Sequence, residues 1–420
     1  MQHHRTTGRR LGLAVTAALS VSALGAGTLA TAPPALAATA SVPLTIDQVN
    51  VPAVAEIDKT SGRVTMEWTL SRGNANLDVT ITHVATGKKV TQRLTAPTYS
   101  TVFSFTWVPK FEEQEPDSLS EVDAPNGAYS VAVKATSDDG VGTPASKTST
   151  MSIVRAFNPH DFNDNGSTDV LARDSMGVLW RSDLTDRPYY NEIRLAKTTR
   201  IGSGWNVYKQ IEAVGNIAGS KHGDVLALDG SGVLWHYQGK GDGGFATRVR
   251  VGSGWGGYNK LAGGSDLNGD GRPDLLATDG AGSLWFYKST GSSASPFATR
   301  VKVGGGWGVY NHLTAVGNIA GTAAGDLVAR DTAGVLWLYQ GDGRGKFSTR
   351  VKVGGGWGGF RQLVGAGDLD NDGRPDLIAY GADRTDGAYV YRSTGVVTTP
   401  FTRRNTDLYN YQGDNYNSVA

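Results

Sequence analysis

Residues 266–287, DLNGDGRPDLLATDGAGSLWFY, hold the pattern that decides the fold. The loop DLNGDGRPD is followed directly by two short apolar segments, and a glycine-containing turn separates them. Short runs of branched and aromatic residues bounded by Gly and Asp are typical of β-strands joined by tight turns. The stretch therefore predicts a strand hairpin that an oxygen-rich loop precedes.

This pattern recurs along the second half of the chain. Strands that begin D-[VL]-[LIV]-A start at Asp169, Asp224, Asp274, Asp326 and Asp376. In the third copy the predicted strands are 274–278, 283–287, 299–303 and 312–316. Four antiparallel strands per repeat of about 50 residues are the unit of a β-propeller blade. We therefore predict an all-β protein with a five-bladed β-propeller over residues 151–404.

A ring of sheets has to close, because open sheet edges invite aggregation. The fifth copy ends near residue 403 without its last strand, and residues 151–157 before the first copy have strand character. We therefore predict that 151–157 supply the missing strand of the last blade. Residues 405–420 then form a C-terminal tail without an assigned role.

Residues 38–150 differ from the repeats and alternate apolar and polar residues, as in 64–70 and 101–107. About seven such strands in about 100 residues predict a β-sandwich. The segment 125–135, PNGAYSVAVKA, resembles the late strands of immunoglobulin-like modules of bacterial secreted proteins. The resemblance implies an immunoglobulin-like β-sandwich, for which we expect the role of a spacer.

Residues 1–37 have the features of an export signal. A basic start is followed by the apolar stretch 11–30 and by Ala35-Leu36-Ala37, which suits a cleavage site. A membrane anchor is the alternative reading of the apolar stretch. The chain has no cysteine, which excludes disulfides and thiolate metal sites, and its formal net charge of +1 gives no global attraction to nucleic acid or membrane lipid. We expect a secreted protein, extracellular or associated with the cell wall.

Three repeats carry an oxygen-rich loop before the first strand, with acidic or amide residues at positions 1, 3, 5 and 9 and glycine at position 6. Such hard oxygen ligands without His or Cys favour calcium. At position 7 only the backbone carbonyl is expected to bind. The candidate ligands are Asp161, Asn163, Asn165, Ser167, Asp169, Asp266, Asn268, Asp270, Arg272, Asp274, Asp368, Asp370, Asp372, Arg374 and Asp376.

These loops resemble those of FG-GAP/VCBS repeats, as in integrin-type propellers, and the resemblance covers 156–404. It implies calcium as the bound ion. The alternative is a set of Asp/Gly turns held by their own hydrogen bonds. The copies at 215–224 and 317–326 keep only the final Asp, so we expect calcium to be structural and these two turns to close by other means.

A second repeated motif, G-[SG]-G-W-x-x-[YF], provides the candidate ligand-binding residues. An indole beside glycines is a good platform for a sugar, although such tryptophans also pack between blades. The motif resembles that of five-bladed tachylectin-type propellers, which implies binding of N-acetylated sugars. The residues are Trp205, Tyr208, Trp255, Tyr258, Trp307, Tyr310, Trp357 and Phe360.

Basic pairs also recur, at Arg248/Arg250, Arg300/Lys302 and Arg350/Lys352. They suit either acidic glycans or the protection of sheet edges by charge. The sequence contains neither H-E-x-x-H nor G-x-S-x-G, and we expect no enzymatic activity. The chain is expected to be a calcium-stabilised carbohydrate-binding protein, a lectin or adhesin. The alternative is a propeller that binds another secreted or cell-surface protein.

Overall fold

The computed structural model describes residues 43–95, 100–114, 119–155, 157–187, 192–381, 387–408 and 416–420. The predicted export signal lies outside these residues. Strands dominate the described chain, and the helical elements there are short 3-10 turns. Within this part of the chain, no helix is long and apolar enough to cross a membrane.

The N-terminal part consists of two larger sheets and a hairpin. Its strands are β1 (Ile46–Asn50), β2 (Val54–Glu56), β3 (Val64–Leu70), β4 (Ala75–His83), β5 (Lys89–Thr95), β6 (Val102–Trp107), β7 (Lys110–Gln114), β8 (Leu119–Asp123), β9 (Gly127–Ser137) and β10 (Ala145–Val154). One sheet has the order β1-β3-β6 and the other β2-β10-β9-β4-β5, while β7 pairs with β8. Alternate residues of β3 and β4 are buried, and Trp68, Phe103 and Tyr129 lie in one shared core.

Five four-stranded antiparallel sheets follow in the described chain. Sheet 1 contains β11 (Asp169–Asp174), β12 (Leu179–Arg187) and β13 (Glu192–Gly202); sheet 2 contains β14 (Tyr208–Gly215), β15 (Asp224–Asp229), β16 (Leu234–Tyr237) and β17 (Val249–Gly252). Sheet 3 contains β18 (Tyr258–Ser265), β19 (Asp274–Asp279), β20 (Leu284–Tyr287) and β21 (Val301–Gly304). Sheet 4 contains β22 (Tyr310–Gly317), β23 (Asp326–Asp331), β24 (Leu336–Tyr339) and β25 (Val351–Gly354); sheet 5 contains β26 (Phe360–Gly367), β27 (Asp376–Gly381), β28 (Ala388–Ser393) and β29 (Phe401–Asp407). The fourth strand of sheet 1 is β30 (Tyr416–Val419).

The first strands of neighbouring sheets contact one another. Strand β14 contacts β18, β18 contacts β22, β22 contacts β26, and β30 contacts both β26 and β14. Apolar cores lie between the sheets, as where Leu226 of sheet 2 packs in one cluster with Trp255 and Leu275 of sheet 3. Each sheet is too small to bury its apolar faces alone and depends on its neighbours. The prediction of an all-β fold with repeated four-stranded sheets, as in propeller blades, is confirmed.

The boundary of the repeating unit differs from the prediction by one strand. The segment 312–316, assigned to the third repeat, lies in β22 and pairs with β23 in the next sheet. In sheets 2 to 5, the loop that precedes the D-[VL]-[LIV]-A strand therefore joins two strands of one sheet, and the Gly-Trp segment crosses from one sheet to the next. A sequence period gives the length of a unit and leaves its starting point open.

The predicted closing strand is wrong for the same reason. Residues 151–154 belong to β10, which pairs with β9 and β2 in the N-terminal part. Sheet 1 lacks a strand before its loop, and β30 fills this place by pairing with β11. The backbones of Leu171 and Ala420 exchange two hydrogen bonds of 2.7 and 2.8 Å next to this pair. The predicted tail therefore contains the strand that closes the ring.

Candidate functional site

The final aspartate of each repeat is buried and binds backbone groups of its own loop. In sheet 3, Asp274 Oδ2 accepts the Leu267 N–H at 3.1 Å, and Oδ1 accepts the Ser289 N–H at 2.9 Å. The carboxylate thus ties the start of the loop to the end of the third strand. The same side chain is fully buried in all five sheets, at Asp169, Asp224, Asp274, Asp326 and Asp376.

The loop 368–376 brings three carboxylates together. Asp368, Asp370 and Asp376 each place a carboxylate oxygen within 4.8 Å of the others, and no other such cluster of acidic or His side chains occurs among the described residues. Burial and then the charges of Asp370 and Asp372 raise the pKa of Asp368 to about 7. Burial and then the charge of Asp370 raise the pKa of Asp376 well above its usual range. A divalent cation would relieve this repulsion, so the donor set fits calcium.

The loop 266–274 makes more hydrogen bonds of its own. Asp266 accepts backbone N–H groups from Asn268 and Gly271, and the Asn268 amide donates to Asp274 Oδ2 at 2.7 Å. Burial raises the pKa of Asp274 to about 6. The Arg272 guanidinium lies against Gly291, so only the backbone of position 7 is left to bind an ion.

The loop 161–169 has the fewest carboxylates at the candidate ligand positions. Asp161 accepts the N–H groups of Asn165 and Gly166, and burial raises its pKa to about 6. The Ser167 hydroxyl donates to Asn165 at 2.7 Å. Asp169 Oδ1 lies 3.6 Å from the Arg181 guanidinium.

The loops 215–224 and 317–326, which keep only the final aspartate, are closed by hydrogen bonds from backbone N–H groups. Asp224 Oδ2 accepts the N–H groups of Ile217 and Ala218, and Asp326 Oδ2 accepts those of Ile319 and Ala320. The His236 ring lies 3.1 Å from Asp224. These contacts are the other means of closure that the sequence suggested.

One position that the sequence reasoning missed lies beside each acidic loop. Lys288 pairs with Asp270 at 3.0 Å, and Arg392 pairs with Asp370 at 2.6 Å and Asp372 at 3.0 Å. The equivalent residue beside the loop 161–169 is Asp183, which accepts a hydrogen bond from Asn163 at 3.0 Å. Each stands three residues after the first aromatic residue of its third strand, which is Trp285, Tyr389 or Trp180. A comparison of the repeats at this position could have revealed it.

The Gly-Trp motifs form 3-10 turns whose indoles are buried. Trp205, Trp255, Trp307 and Trp357 are each 7% exposed. Their rings pack against a tyrosine of the third strand, as with Trp255 and Tyr287 at 4.7 Å between ring centroids. The prediction that the indole faces form open sugar platforms is therefore wrong. Packing, the alternative weighed from the sequence, is what the geometry shows.

The second aromatic residue of each motif is held in a small polar network. The hydroxyls of Tyr208, Tyr258 and Tyr310 lie 2.5–2.6 Å from those of Tyr237, Tyr287 and Tyr339. Arg248, Arg300 and Arg350 donate to the first three hydroxyls. Phe360 has no hydroxyl and packs against Tyr391 at 6.1 Å between centroids.

Polar side chains line one end of the ring axis, around a cavity of 300 Å³. Gln210 donates to the Leu261 carbonyl at 3.1 Å, and the Glu212 carboxylate accepts the Gly263 N–H at 2.9 Å. Burial raises the pKa of Glu212 to about 8. These side chains join neighbouring sheets.

The other end of the axis opens into a cavity of 560 Å³. Its lining includes Asp161, Asp266 and Asp368 from the three acidic loops, and Asp58 and Lys59 from the N-terminal part. In sheets 3 and 5 the acidic loop and the Gly-Trp turn stand at opposite ends of the first strand, since β18 and β26 each begin after a Gly-Trp turn and end at an acidic loop.

The ring of repeated four-stranded sheets with buried loop aspartates belongs to the propeller class of folds. Residues 325–379, which run from β23 through the loop 368–376 into β27, match the model of the FG-GAP-like repeat. The sequence-based prediction of FG-GAP repeats is confirmed there. Repeats of this kind indicate a binding fold rather than a catalytic one.

A solved structure of an Agrocybe aegerita lectin, described as recognising non-reducing terminal N-acetylglucosamine, is 16% identical to this chain with a TM-score of 0.35. The match covers 84% of this chain and 96% of that one. A comparison with curated proteins finds no match.

Proposed function

We propose that the protein is a secreted, non-catalytic binding protein, built from an immunoglobulin-like β-sandwich and a five-bladed β-propeller. The contacts of β14, β18, β22, β26 and β30 in a closed circuit support five blades. The shared core of the two N-terminal sheets supports the sandwich. Secretion rests on the export pattern of residues 1–37.

Carbohydrate is the ligand class that we propose, bound at the edge of the Gly-Trp turns rather than on the indole faces. One observation carries this proposal: the indole N–H of Trp255 and of its three equivalents makes no hydrogen bond to any described residue. Space beside it is open, since a Cβ on Gly252 would lie 3.6 Å from the Trp255 Nε1 and would meet no other atom within 4 Å. An N–H donor next to exposed backbone suits a sugar hydroxyl, and fourfold repetition suits multivalent binding.

Calcium is proposed as a structural ion of the acidic loops. Asp368, Asp370 and Asp376 would hold it in sheet 5. Weaker sites are proposed at 266–274, where the Asn268 amide already binds Asp274, and at 161–169, where Asn163 and Asn165 replace carboxylates. The ion would supply positive charge to carboxylates that repel one another. Its role is to fix the loops and not to carry out chemistry.

A glycan array tests the carbohydrate proposal. Replacing Trp255 and Trp307 by Phe together keeps an aromatic ring in each turn and removes both N–H donors. We expect avidity for the sugar to fall about tenfold or more, because two of four sites are lost. Trp107→Phe in the N-terminal core is the control for a lost indole outside the turns. An array without hits, or equal avidity of both variants, would refute sugar binding at these turns.

A protein partner is the second candidate. Val207 and Val309 lie in two of the same turns and are 56% and 52% exposed, which favours an apolar contact with another secreted protein. Val207→Ser with Val309→Ser would then weaken capture of that protein and leave glycan binding unchanged.

A further inference from the structure

A set of basic side chains lies along the outermost strands of three neighbouring sheets. We call Arg248, Arg250, Arg300, Lys302, Arg350 and Lys352 the basic belt. All six residues are exposed. They stand in or directly before β17, β21 and β25, which are the last strands of their sheets. Exposed Arg200 in β13 and Arg403 in β29 extend the belt onto the two sheets on either side.

Carboxylates balance the belt only in part, since Asp279 lies near Lys302 and Asp331 near Arg350 without forming ion pairs. Other cations of the ring form ion pairs, as Lys288 does with Asp270 and Arg392 with Asp370. Among the described residues, no carboxylate forms a salt bridge with a member of the belt. The net charge of the whole chain is only +1, so the six exposed cations of the belt are a local concentration of positive charge.

Half of the belt is held rigidly. The guanidinium carbons of Arg248, Arg300 and Arg350 each lie 4.0 Å from the ring centroid of a third-strand tryptophan, Trp235, Trp285 or Trp337. The hydrogen bond of each arginine to a tyrosine hydroxyl fixes it further. A guanidinium that stacks on an indole loses little conformational entropy when it binds an anion. Of the other three residues, Lys302 places its Nζ 5.9 Å from the Trp285 ring centroid.

We propose that the basic belt binds a linear anionic glycopolymer that runs around the outer wall across sheets 2 to 4. The repeat of the fold presents the same pair of cations three times, which matches a polymer with regularly spaced carboxylates or phosphates. This surface is separate from the Gly-Trp turns, so the proposal does not depend on sugar binding there.

The test uses two triple variants of the full chain with the same loss of charge. The belt variant carries Arg250→Gln, Lys302→Gln and Lys352→Gln, which leaves the stacked arginines in place. The control carries Lys89→Gln, Lys134→Gln and Lys147→Gln, three exposed lysines of the N-terminal part. The probes are polygalacturonate for carboxylates, poly(glycerol phosphate) for phosphates, and neutral dextran.

We expect the parent to bind at least one polyanion at about 50 mM salt, with affinity that falls as salt rises. The belt variant should bind about tenfold or more weakly, with a shallower salt dependence, while the control stays within about twofold. Which probe binds distinguishes carboxylate from phosphate polymers. Binding by neither probe, equal losses in both variants, or equally tight binding of duplex DNA would overturn the proposal. A belt variant that self-associates with unchanged polyanion affinity would assign these residues to edge protection and also overturn it.

Discussion

The backbone N–H of Trp255 donates to the carbonyl of Gly232 at 3.0 Å, and this bond joins two different sheets. Gly232 stands in the turn between β15 and β16, and Trp255 begins the segment that leads into β18. The same bond recurs from Trp205 to Gly177, from Trp307 to Gly282 and from Trp357 to Gly334. The Gly-Trp motif is therefore a connector between sheets, which explains its buried indoles.

Gly232→Ala is expected to destabilise the ring. Gly232 has a φ of 82°, and a Cβ there would lie 2.9 Å from the Gly256 nitrogen. The left-handed backbone and the clash together should lower the free energy of unfolding by about 2 kcal/mol. Gly230→Ala is the control, because a Cβ there meets nothing within 4 Å. Urea denaturation measures both, and equal midpoints would contradict the connector role.

Calcium should raise the melting temperature of the protein. A single site contributes about 2.7 kcal/mol when free calcium is a hundredfold above its Kd. We expect Asp370→Asn to abolish most of the shift, because this side chain belongs to the cluster of three carboxylates. Asp342→Asn removes an equal charge from a loop of sheet 4 and should leave the calcium shift intact. A melting temperature that EDTA leaves unchanged would count against structural calcium.

His312 should make the ring less stable in acid. Burial, with the charges of Arg330 and Lys260, lowers the pKa of His312 to about 4. The unfolded chain takes up this proton near pH 6.5 and the folded chain does not, so stability is lost as the pH falls from about 6.5 to about 4. The loss is at most about 3 kcal/mol.

The variant His312→Gln isolates this effect. His312 Nε2 lies 3.0 Å from the Leu363 carbonyl oxygen and 3.2 Å from its nitrogen, and glutamine can bond both groups without titrating. Gln362 bonds the carbonyl and nitrogen of Val419 in this way one sheet further on. Denaturation curves at pH 7 and pH 5 should differ less for the variant. An unchanged pH dependence would mean that other groups cause it.

Gln362→Ala should weaken the closure of the ring. The Gln362 amide donates to the Val419 carbonyl at 2.9 Å, and its oxygen accepts the Val419 N–H at 2.6 Å. Loss of both bonds at a half-buried site should cost about 2 kcal/mol. Hydrogen exchange of β11 and β30 would show whether the loss is local. Gln92→Ala, on an exposed strand, should cost less than about 0.5 kcal/mol.

The sequence allowed the strands of the ring to be predicted well, because each is a short apolar run between turn residues. The predicted strand 274–278 is observed as Asp274–Asp279, and 283–287 as Leu284–Tyr287. The grouping of strands into sheets could not be read in the same way. Pairing between β11 and β30 joins residues more than 200 positions apart, and local patterns carry no information about it.

Only those residues of the candidate site that are close together in the sequence could be predicted. The spacing of the loop 368–376 identified Asp368, Asp370 and Asp376, because ligands of one loop are close in sequence. Arg392 and Lys288 approach their loops from another strand, so the loop motif does not contain them. The exposure of the Gly-Trp indoles depends on which sheet packs over them, and this packing cannot be inferred from the local sequence.

Because β30 pairs with β11, which lies more than 200 positions earlier in the chain, the first sheet of the ring cannot be completed until β30 has left the ribosome. The order of folding therefore cannot follow the order of synthesis. A chain that cannot complete its fold during synthesis remains partly unfolded for longer. For a polypeptide that has to pass through a narrow translocation channel before it folds, late closure would be an advantage.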